Sequence, residues 1–429
     1  MKKIATLLFV SAAMLIQHSA NAQEIDTIFQ KKNMDYLSYI AVVGKQNAAY
    51  AAERFNVSMA EAEIQTARIF PDPELSFSGA DNGQRRMNMG YAFGSELTWT
   101  VELGGKRKAR IDLAKNEMQL ASLLLEDYFR NMRADATIAF LTGLQNHMLL
   151  QVQYDSYKQI KQLAVSDSIR HKLGSISKVD ARQSKLEAGI MLNEVYAAEA
   201  EWKTSLAALS LWIGAAQEET LLNPLGSFKG FDRSFNLQEL ITTALNNRAD
   251  VRAALQNKNL SQSVLRLAKA ERAIDIDISL GMEYNSYVRN HIAPTPSFTS
   301  VSAGVSIPLK FSNNRAADVR VAQYGSLQAH QEFRQTELEI QTEIVQSFQQ
   351  YQAIQKQVRQ FDKGLLSESK AILDGKIFSY QRGETSLLEV LDAQRTYNEI
   401  QQGYYQTLYS YAEALVELER AAGIWDINF

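Results

Sequence analysis

The feature that most constrains this chain is a long helical hairpin that occurs twice at a fixed spacing. A G-x-x-S turn stands at residues 174–177 and again at 383–386, 209 residues later. The apolar-periodic run after each turn ends at a glycine, Gly214 or Gly423, and these two glycines are also 209 residues apart. Between residues 340 and 365, apolar side chains recur at steps of three and four, as in helices that pack along their length. The pattern indicates a tandem duplication.

The helices that flank these turns are predicted to be unusually long. After Gly104 and Gly105, no proline or glycine interrupts the chain until Gly143, and the pattern predicts a helix from 107 to about 170. At 1.5 Å per residue such a helix is ~96 Å long. The first hairpin is predicted over 107–212 and the second over 314–422. Helices of this length do not fit a globular core and indicate a rod or a tunnel wall.

Each repeat also carries a pair of strands, predicted at 74–79 and 95–103 and again at 274–284 and 300–309. Apolar residues alternate with polar ones in these segments, which gives each strand one apolar and one polar face. Four strands cannot close on themselves, and no helix of the repeat is available to cover the apolar face. We therefore expect lipid against that face and closure by more than one chain. The residues expected to face the membrane are Leu97, Trp99, Val101, Ile276, Ile278, Leu280, Val301 and Val305.

The remaining organisation follows from these two repeats. Residues 1–22 have a Lys pair, a short apolar run and an A-x-A site before Gln23, which predicts a cleaved secretory signal peptide. The first structural repeat is predicted over 23–214, a connector over 215–235, the second repeat over 236–423 and a tail over 424–429.

Composition excludes several classes of function. The chain has no Cys, so it has no disulfide or thiolate metal site, and its net charge of −3 gives no case for nucleic acid. The five His are scattered without metal-ligand spacing, and no nucleophile, phosphate-loop or metalloprotease motif occurs. We expect no metal site, no cofactor and no enzymatic activity.

Several short motifs, in their duplicated order, resemble TolC-like outer-membrane efflux factors. They are GGKR at 104–107, IPL at 307–309, Y-x-x-G at 380–383 and VLDA at 390–393. The ELGGKR stretch is most similar to the branch that serves heavy-metal and drug exporters of the resistance-nodulation-division type. The resemblance implies a mainly α chain with long helical hairpins and four transmembrane β-strands. It further implies a homotrimer whose twelve-stranded β-barrel continues into a periplasmic α-barrel. A periplasmic adaptor and an inner-membrane pump would load this outer-membrane duct.

The resemblance also implies residues for the periplasmic entrance of the pore. Glu389 and Asp392 match two acidic positions that face the pore, and three chains would supply a ring of carboxylates. Such a ring favours cations and raises some carboxyl pKa values. Asp180 matches an aspartate that hydrogen-bonds the tip tyrosine, here Tyr380, and holds the entrance shut.

One position departs from the family's pattern. The family often has an arginine two residues after the tip glycine, but this chain has Thr385 there. Arg382 is the available substitute, and the sequence leaves its role open.

The two hairpin ends are predicted to dock the adaptor. Small residues at such ends let the ends of other helices approach closely, although turn chemistry alone also explains Gly after one helix and Ser before the next. Both interpretations are compatible. The predicted docking residues are Leu173, Gly174, Ser177, Arg382, Gly383 and Ser386.

The leading hypothesis is a passive outer-membrane channel of a tripartite efflux system that conducts metal cations or drugs. Two alternatives stay open at this stage. One is a duct for type I protein secretion, which uses the same kind of conduit. The other is a periplasmic coiled-coil spacer without a pore, which the alternating strands argue against.

Overall fold

A computed structural model describes residues 30–81, 88–214, 220–309 and 315–427. The predicted signal peptide at 1–22 lies outside these ranges. The helices are α1 (Tyr36–Gln46), α2 (Ala48–Ala67), α3 (Lys106–Lys172), α4 (Lys178–Trp212), α5 (Leu237–Asn247), α6 (Ala249–Ala270), α7 (Ala316–Gln360), α8 (Leu366–Arg382) and α9 (Leu387–Ala422). The strands are β1 (Gln30–Asp35), β2 (Glu74–Asp81), β3 (Tyr91–Val101), β4 (Thr220–Leu225), β5 (Ile276–Asn285) and β6 (Phe298–Ser306).

The chain forms two compact units, and each takes segments from both sequence repeats. Unit 1 comprises the described residues of 1–43, 139–227 and 372–405, and unit 2 those of 44–138, 228–371 and 406–429. Unit 1 contains both hairpin turns, and unit 2 contains β2, β3, β5 and β6. None of the helices in the described ranges combines the length and apolar character needed to cross a bilayer.

The first hairpin follows the prediction closely. The helix expected from 107 to about 170 is α3, which runs from Lys106 to Lys172 with basic residues in its last turn. Cations at a helix C-terminus interact favourably with the helix dipole. α4 then returns to Trp212, and its buried side chains include Met191, Trp202 and Leu206. In unit 1, Met191 packs with Ile160 and Leu163 of α3 in one buried cluster.

The second hairpin differs from the prediction in its first arm. The apolar period predicts continuous helix through 365, but a π-helical segment at Phe361–Leu365 separates α7 from α8. Gly364 within it has φ +109°, a conformation that side chains with a Cβ rarely adopt. A single glycine therefore breaks a helix that the heptad pattern alone would continue.

The segment before each strand pair forms two consecutive helices. In the first repeat, the Asn47 side chain accepts a hydrogen bond from the Tyr50 backbone N at 2.9 Å and so begins α2 directly after α1. In the second repeat, Arg248 separates α5 from α6 in extended conformation. An N-cap residue has non-helical backbone angles, so the axis changes direction at each of these points.

The four strands of unit 2 form one antiparallel sheet in the order β2-β3-β5-β6. The strand bounds differ from the prediction by up to four residues. β3 begins at Tyr91 rather than 95, and β6 ends at Ser306 rather than 309, where Pro308 cannot donate a ladder hydrogen bond. β3 and β5, which come from different repeats, pair along their length, with Trp99 opposite Ile278.

A parallel strand pair in unit 1 was not predicted. β1 pairs with β4 in register from Gln30 opposite Thr220 to Asp35 opposite Leu225. β4 lies inside the predicted connector, and its sequence, TLLNPL, has neither alternation nor a strong strand propensity. This pairing depends on contacts between segments about 190 residues apart, which a local pattern does not reveal.

The residues that follow α9, predicted as a tail, are packed against other parts of unit 2 as far as Ile427. Ile427 is buried, and the Arg133 guanidinium lies 4.1 Å from the centre of the Trp425 ring. Buried Arg248 donates from Nη1 to the Ala421 carbonyl oxygen at 2.6 Å and from Nη2 to Asp250 Oδ2 at 2.6 Å. Residues 424–427 are therefore part of the packed structure of unit 2, since arginines satisfy the carbonyls that a helix end leaves open.

Candidate functional site

The sheet of unit 2 has one exposed apolar face. Trp99 lies opposite Ile278, which lies opposite Val305, and directly opposed residues of an antiparallel ladder share a face. Leu97 and Leu280 form the next row of the same face. Of the eight residues predicted to face the membrane, seven are exposed and Ile276 is half-buried; Val301 is 79% exposed. Such a contiguous apolar surface indicates contact with lipid or protein.

The opposite face of the sheet is polar, as the alternation predicts. Thr98 lies opposite Ser279, and the Thr100 hydroxyl donates to Asp277 Oδ1 at 2.6 Å. Each outer strand, β2 and β6, has one edge that pairs with no other described strand. An open edge beside an exposed apolar face indicates that the sheet is incomplete in a single chain.

The two hairpin turns in unit 1 have the same geometry. Gly174 has φ +77° and donates from its backbone N to His171 O, while Ser175 N donates to Arg170 O, the hydrogen-bond pattern of a Schellman motif. Gly383, with φ +80°, repeats this pattern with Tyr380 O. A Cβ on either glycine would meet nothing within 4 Å, so the chain requires glycine there for its backbone angle and not for space.

Serine begins the second helix of each hairpin. Asp180 N donates to Ser177 Oγ at 3.1 Å, and Glu389 N donates to Ser386 Oγ at 3.4 Å. Leu173, beside the first turn, is 75% exposed. The six predicted docking residues therefore lie at or next to the two turns, and turn chemistry accounts for the Gly and Ser among them.

The hydrogen bond predicted between Asp180 and Tyr380 is not present. The buried Tyr380 hydroxyl donates instead to Asp167 Oδ1, at 3.1 Å. Asp180 lies in the first turn of α4, where its Oδ2 accepts a hydrogen bond from Ser177 Oγ at 2.7 Å. Local capping thus engages the Asp180 carboxylate, and Asp167 of α3 binds the tyrosine.

Burial dominates the electrostatics of this contact. It raises the pKa of Asp167, although hydrogen bonds from Ser184 and Tyr380 and the nearby Arg170 cation act in the opposite direction. Burial and the adjacent Asp167 charge raise the pKa of Tyr380 to about 12. Tyr380 therefore stays protonated, as a hydrogen-bond donor, over the physiological pH range.

The two predicted pore carboxylates each have a cationic partner in the same chain. Glu389 Oε2 is 2.6 Å from Lys376 Nζ, and Asp392 Oδ1 is 2.6 Å from Arg395 Nη2. The hydrogen bond from Lys376 lowers the pKa of Glu389 to about 2. Within one chain, the lowered pKa of Glu389 is therefore opposite in direction to the raised pKa values expected for a ring of unpaired carboxylates.

Arginine also reaches the tyrosine from an unexpected position. The Arg170 guanidinium lies 4.9 Å from the centre of the Tyr380 ring and 3.8 Å from Asp167 Oδ1. Arg382 instead lies over Phe378 on its own helix, 4.3 Å from the ring centre. Arg170, and not Arg382, is therefore the arginine that contacts the Tyr380 ring.

The sequence analysis missed the contacts that Asp167, Arg170, Lys376 and Arg395 make with the predicted entrance residues. A signal for Asp167 was available, because Ile160, Leu163 and Asp167 follow the three-and-four spacing of a buried helix face. A carboxylate in an apolar register must find a partner. The sequence gives no comparable signal for Lys376, whose partner lies across the turn.

A sheet with an exposed apolar face and open edges, in one chain with paired long helices, is the fold of an outer-membrane export channel. The chain belongs to the family described as outer membrane efflux protein, whose model matches residues 43–215 and 240–424. It is therefore an outer-membrane efflux component, and the family consists of channel proteins rather than enzymes. A pore-free periplasmic spacer is inconsistent with this membership.

Individual relatives agree with this assignment. The cobalt-zinc-cadmium resistance protein CzcC of Cupriavidus metallidurans is 23% identical over 381 residues, which cover 87% of this chain and 88% of the relative. The solved structure of CusC has a TM-score of 0.74 at 16% identity and covers 91% of this chain and 92% of CusC. The Campylobacter jejuni CmeC outer membrane channel has a TM-score of 0.74 at 15% identity and covers 90% of this chain and 84% of CmeC. These structural likenesses confirm the TolC-like fold.

Proposed function

We propose that three copies of this chain form a continuous export duct through the outer membrane. Each chain contributes β2, β3, β5 and β6, so that three copies close a twelve-stranded transmembrane barrel with its apolar face in lipid. The observation that carries this proposal is the exposed row Trp99–Ile278–Val305 on a sheet with two open edges. Lipid covers the face, and neighbouring copies satisfy the edges.

The hairpin ends form the periplasmic entrance. Leu173 and the two tip glycines are exposed there, and they suit contact with the helical hairpin of a periplasmic adaptor. The adaptor joins the duct to an inner-membrane pump, which we expect to be of the resistance-nodulation-division type. CzcC is named for resistance to cobalt, zinc and cadmium, so metal cations are one candidate cargo and drugs are the other.

Pore formation tests the proposal directly. The mature protein should require detergent for extraction, migrate as a trimer and form discrete conducting pores in planar bilayers. Replacing Trp99 and Ile278 with Asp places two charges per chain on the apolar face and should prevent insertion, because a charge facing the hydrocarbon of the bilayer is destabilising. The matched control replaces Thr98 and Ser279, on the polar face, with Asp. A monomer that is soluble without detergent would contradict the proposal.

Bulky residues at the two turns should impair export while the trimers persist. Gly174→Val and Gly383→Val force a β-branched residue into positive φ, which costs roughly 1–3 kcal/mol and displaces the hairpin end. Export of a dye should fall in cells, whereas pore formation in pure bilayers should remain. Gly189→Val on α4 is the control, since a Cβ there meets nothing and the backbone is helical. Normal export in both tip variants would argue against docking at these turns.

A further inference from the structure

The acidic positions of α9 are balanced by cations from the same chain. Glu389 pairs with Lys376 of α8, and Asp392 pairs with Arg395 one turn further along α9. Arg395 also lies 3.9 Å from Glu399. All of these side chains are roughly half exposed or more, so the pairs are open to solvent.

We propose that Lys376 and Arg395 determine the ion selectivity of the entrance, and that they adapt it to neutral or zwitterionic organic molecules rather than to free metal cations. This inference rests on the proposed duct and on the pore-facing position that the family resemblance implies for Glu389 and Asp392. Two carboxylates per chain alone would give three copies a ring of six negative charges. With Lys376 and Arg395 present, these four residues contribute no net charge, and Glu399, the second partner of Arg395, leaves a single negative charge per chain.

The proposed selectivity depends on the balance of charges at the entrance and not on the strength of the individual ion pairs. Exposed ion pairs contribute only about 0–1 kcal/mol each, so either pair opens readily. A tethered cation nevertheless stays within a few ångströms of its carboxylate whether or not the pair is closed. Two opposite charges a few ångströms apart act on a passing ion as a dipole, whose field falls off faster with distance than that of a single charge. Salt screens the remaining field beyond about 8 Å at physiological ionic strength. A passing cation therefore meets a dipolar surface and not a negative ring.

The two cations differ in what their removal should do. Lys376 connects α8 to α9 across the turn and accounts for most of the lowered pKa of Glu389. Arg395 acts within α9 and shares its charge between Asp392 and Glu399. Lys376→Met should therefore remove the cation paired with Glu389, and Arg395→Met should remove the cation shared by Asp392 and Glu399.

Reversal potentials of single pores in a KCl gradient measure the effect. In the double variant Lys376→Met/Arg395→Met, the K⁺/Cl⁻ permeability ratio should rise roughly threefold or more over wild type. In Glu389→Gln/Asp392→Asn, the ratio should fall below that of wild type. Lys370→Met is the matched control, since Lys370 is an exposed lysine of α8 that makes no ion pair within the described residues. An unchanged ratio in the double variant, or an equal rise in the control, would overturn the proposal.

A second measurement does not require conduction. Tb³⁺ luminescence, titrated into the detergent-solubilised protein, reports clustered carboxylates directly. The double variant should bind Tb³⁺ at least about tenfold more tightly than wild type, and its further Glu389→Gln/Asp392→Asn derivative should lose this gain. If wild type forms no pores, the proposed duct is wrong, and equal Tb³⁺ affinities would separately refute the charge balance.

Discussion

Tyr380→Phe should increase the resting conductance of the pore. The substitution removes one hydroxyl and keeps the ring between Arg170 and the buried cluster. It leaves the buried Asp167 carboxylate without the hydrogen bond that Tyr380 donates at 3.1 Å. A hydrogen bond to a charged group contributes about 1.5–3 kcal/mol, which corresponds to roughly a 10- to 100-fold shift between closed and open entrances. Single-channel recording of open probability checks this.

Tyr397→Phe provides the control for this substitution. Tyr397 is also a buried tyrosine of unit 1, and the described residues give its hydroxyl no hydrogen bond. Its substitution should leave open probability within about twofold of wild type. If Tyr380→Phe and Tyr397→Phe behave alike, the Asp167 contact has no part in closure.

The same contact predicts a pH dependence. Because burial raises the pKa of Asp167, the packed arrangement favours the protonated carboxyl. The packed arrangement is therefore most stable below the ordinary carboxyl pKa and loses this contribution as pH rises through the raised value. Arg170, Asp180 and Tyr380 are the other titratable groups that act on it. Acidification should lower resting conductance in wild type, and Asp167→Asn should abolish that response.

Arg248→Met should be the most destabilising of the substitutions considered. Arg248 is 3% exposed and donates to Asp250, to Glu343 Oε2 at 2.8 Å and to the carbonyl oxygen of Ala421. Its removal leaves the buried Ala421 carbonyl oxygen at the helix end, and the partly buried Asp250 and Glu343 carboxylates, without this donor. Breaking one partner of a buried ion pair costs about 3–5 kcal/mol. Unfolding entropy is ~2.1 cal/mol/K per residue, so the melting temperature of the detergent-solubilised protein should fall by about 3–6 °C.

Arg252→Met distinguishes burial from charge in this experiment. Arg252 pairs with Glu126 at 2.8 Å, but both side chains are half exposed. An exposed pair of this kind contributes about 1 kcal/mol or less, so the melting temperature should fall by less than in Arg248→Met. Equal losses in the two variants would show that the buried network around Arg248 adds nothing.

Local patterns predicted the main elements because each depends on neighbouring residues. The period of three and four predicted α7 and α9, and the long stretch without proline or glycine predicted α3. The alternation at Leu97, Trp99 and Val101 predicted the apolar face of β3. The turns were predicted because glycine at positive φ and a capping serine leave a signal within four residues. The breaks at Gly364 and Arg248 were missed, since a single residue changed the backbone while the apolar period continued.

The contacts of the entrance were predicted less well than its position. The sequence placed Tyr380, Glu389 and Asp392 next to the second turn, and the structure finds them there. It assigned the wrong partner to Tyr380, because a spacing of six residues from Gly174 does not show that Ser177 already engages Asp180. It also treated the α9 carboxylates as unpaired, since Lys376 lies thirteen residues from Glu389.

By itself the sequence determined the duplication and the turns, because the glycine and serine of each turn recur at a fixed spacing. It also determined the long helices and the alternating faces of the strands, because these follow from the local periods of 3.6 and 2. Only the tertiary structure decided that Asp167 binds Tyr380, that Lys376 neutralises Glu389 and that β1 pairs with β4. Each of these contacts joins residues on different segments. Which donor reaches which acceptor then depends on the packing of whole helices, and not on the residues adjacent in the chain.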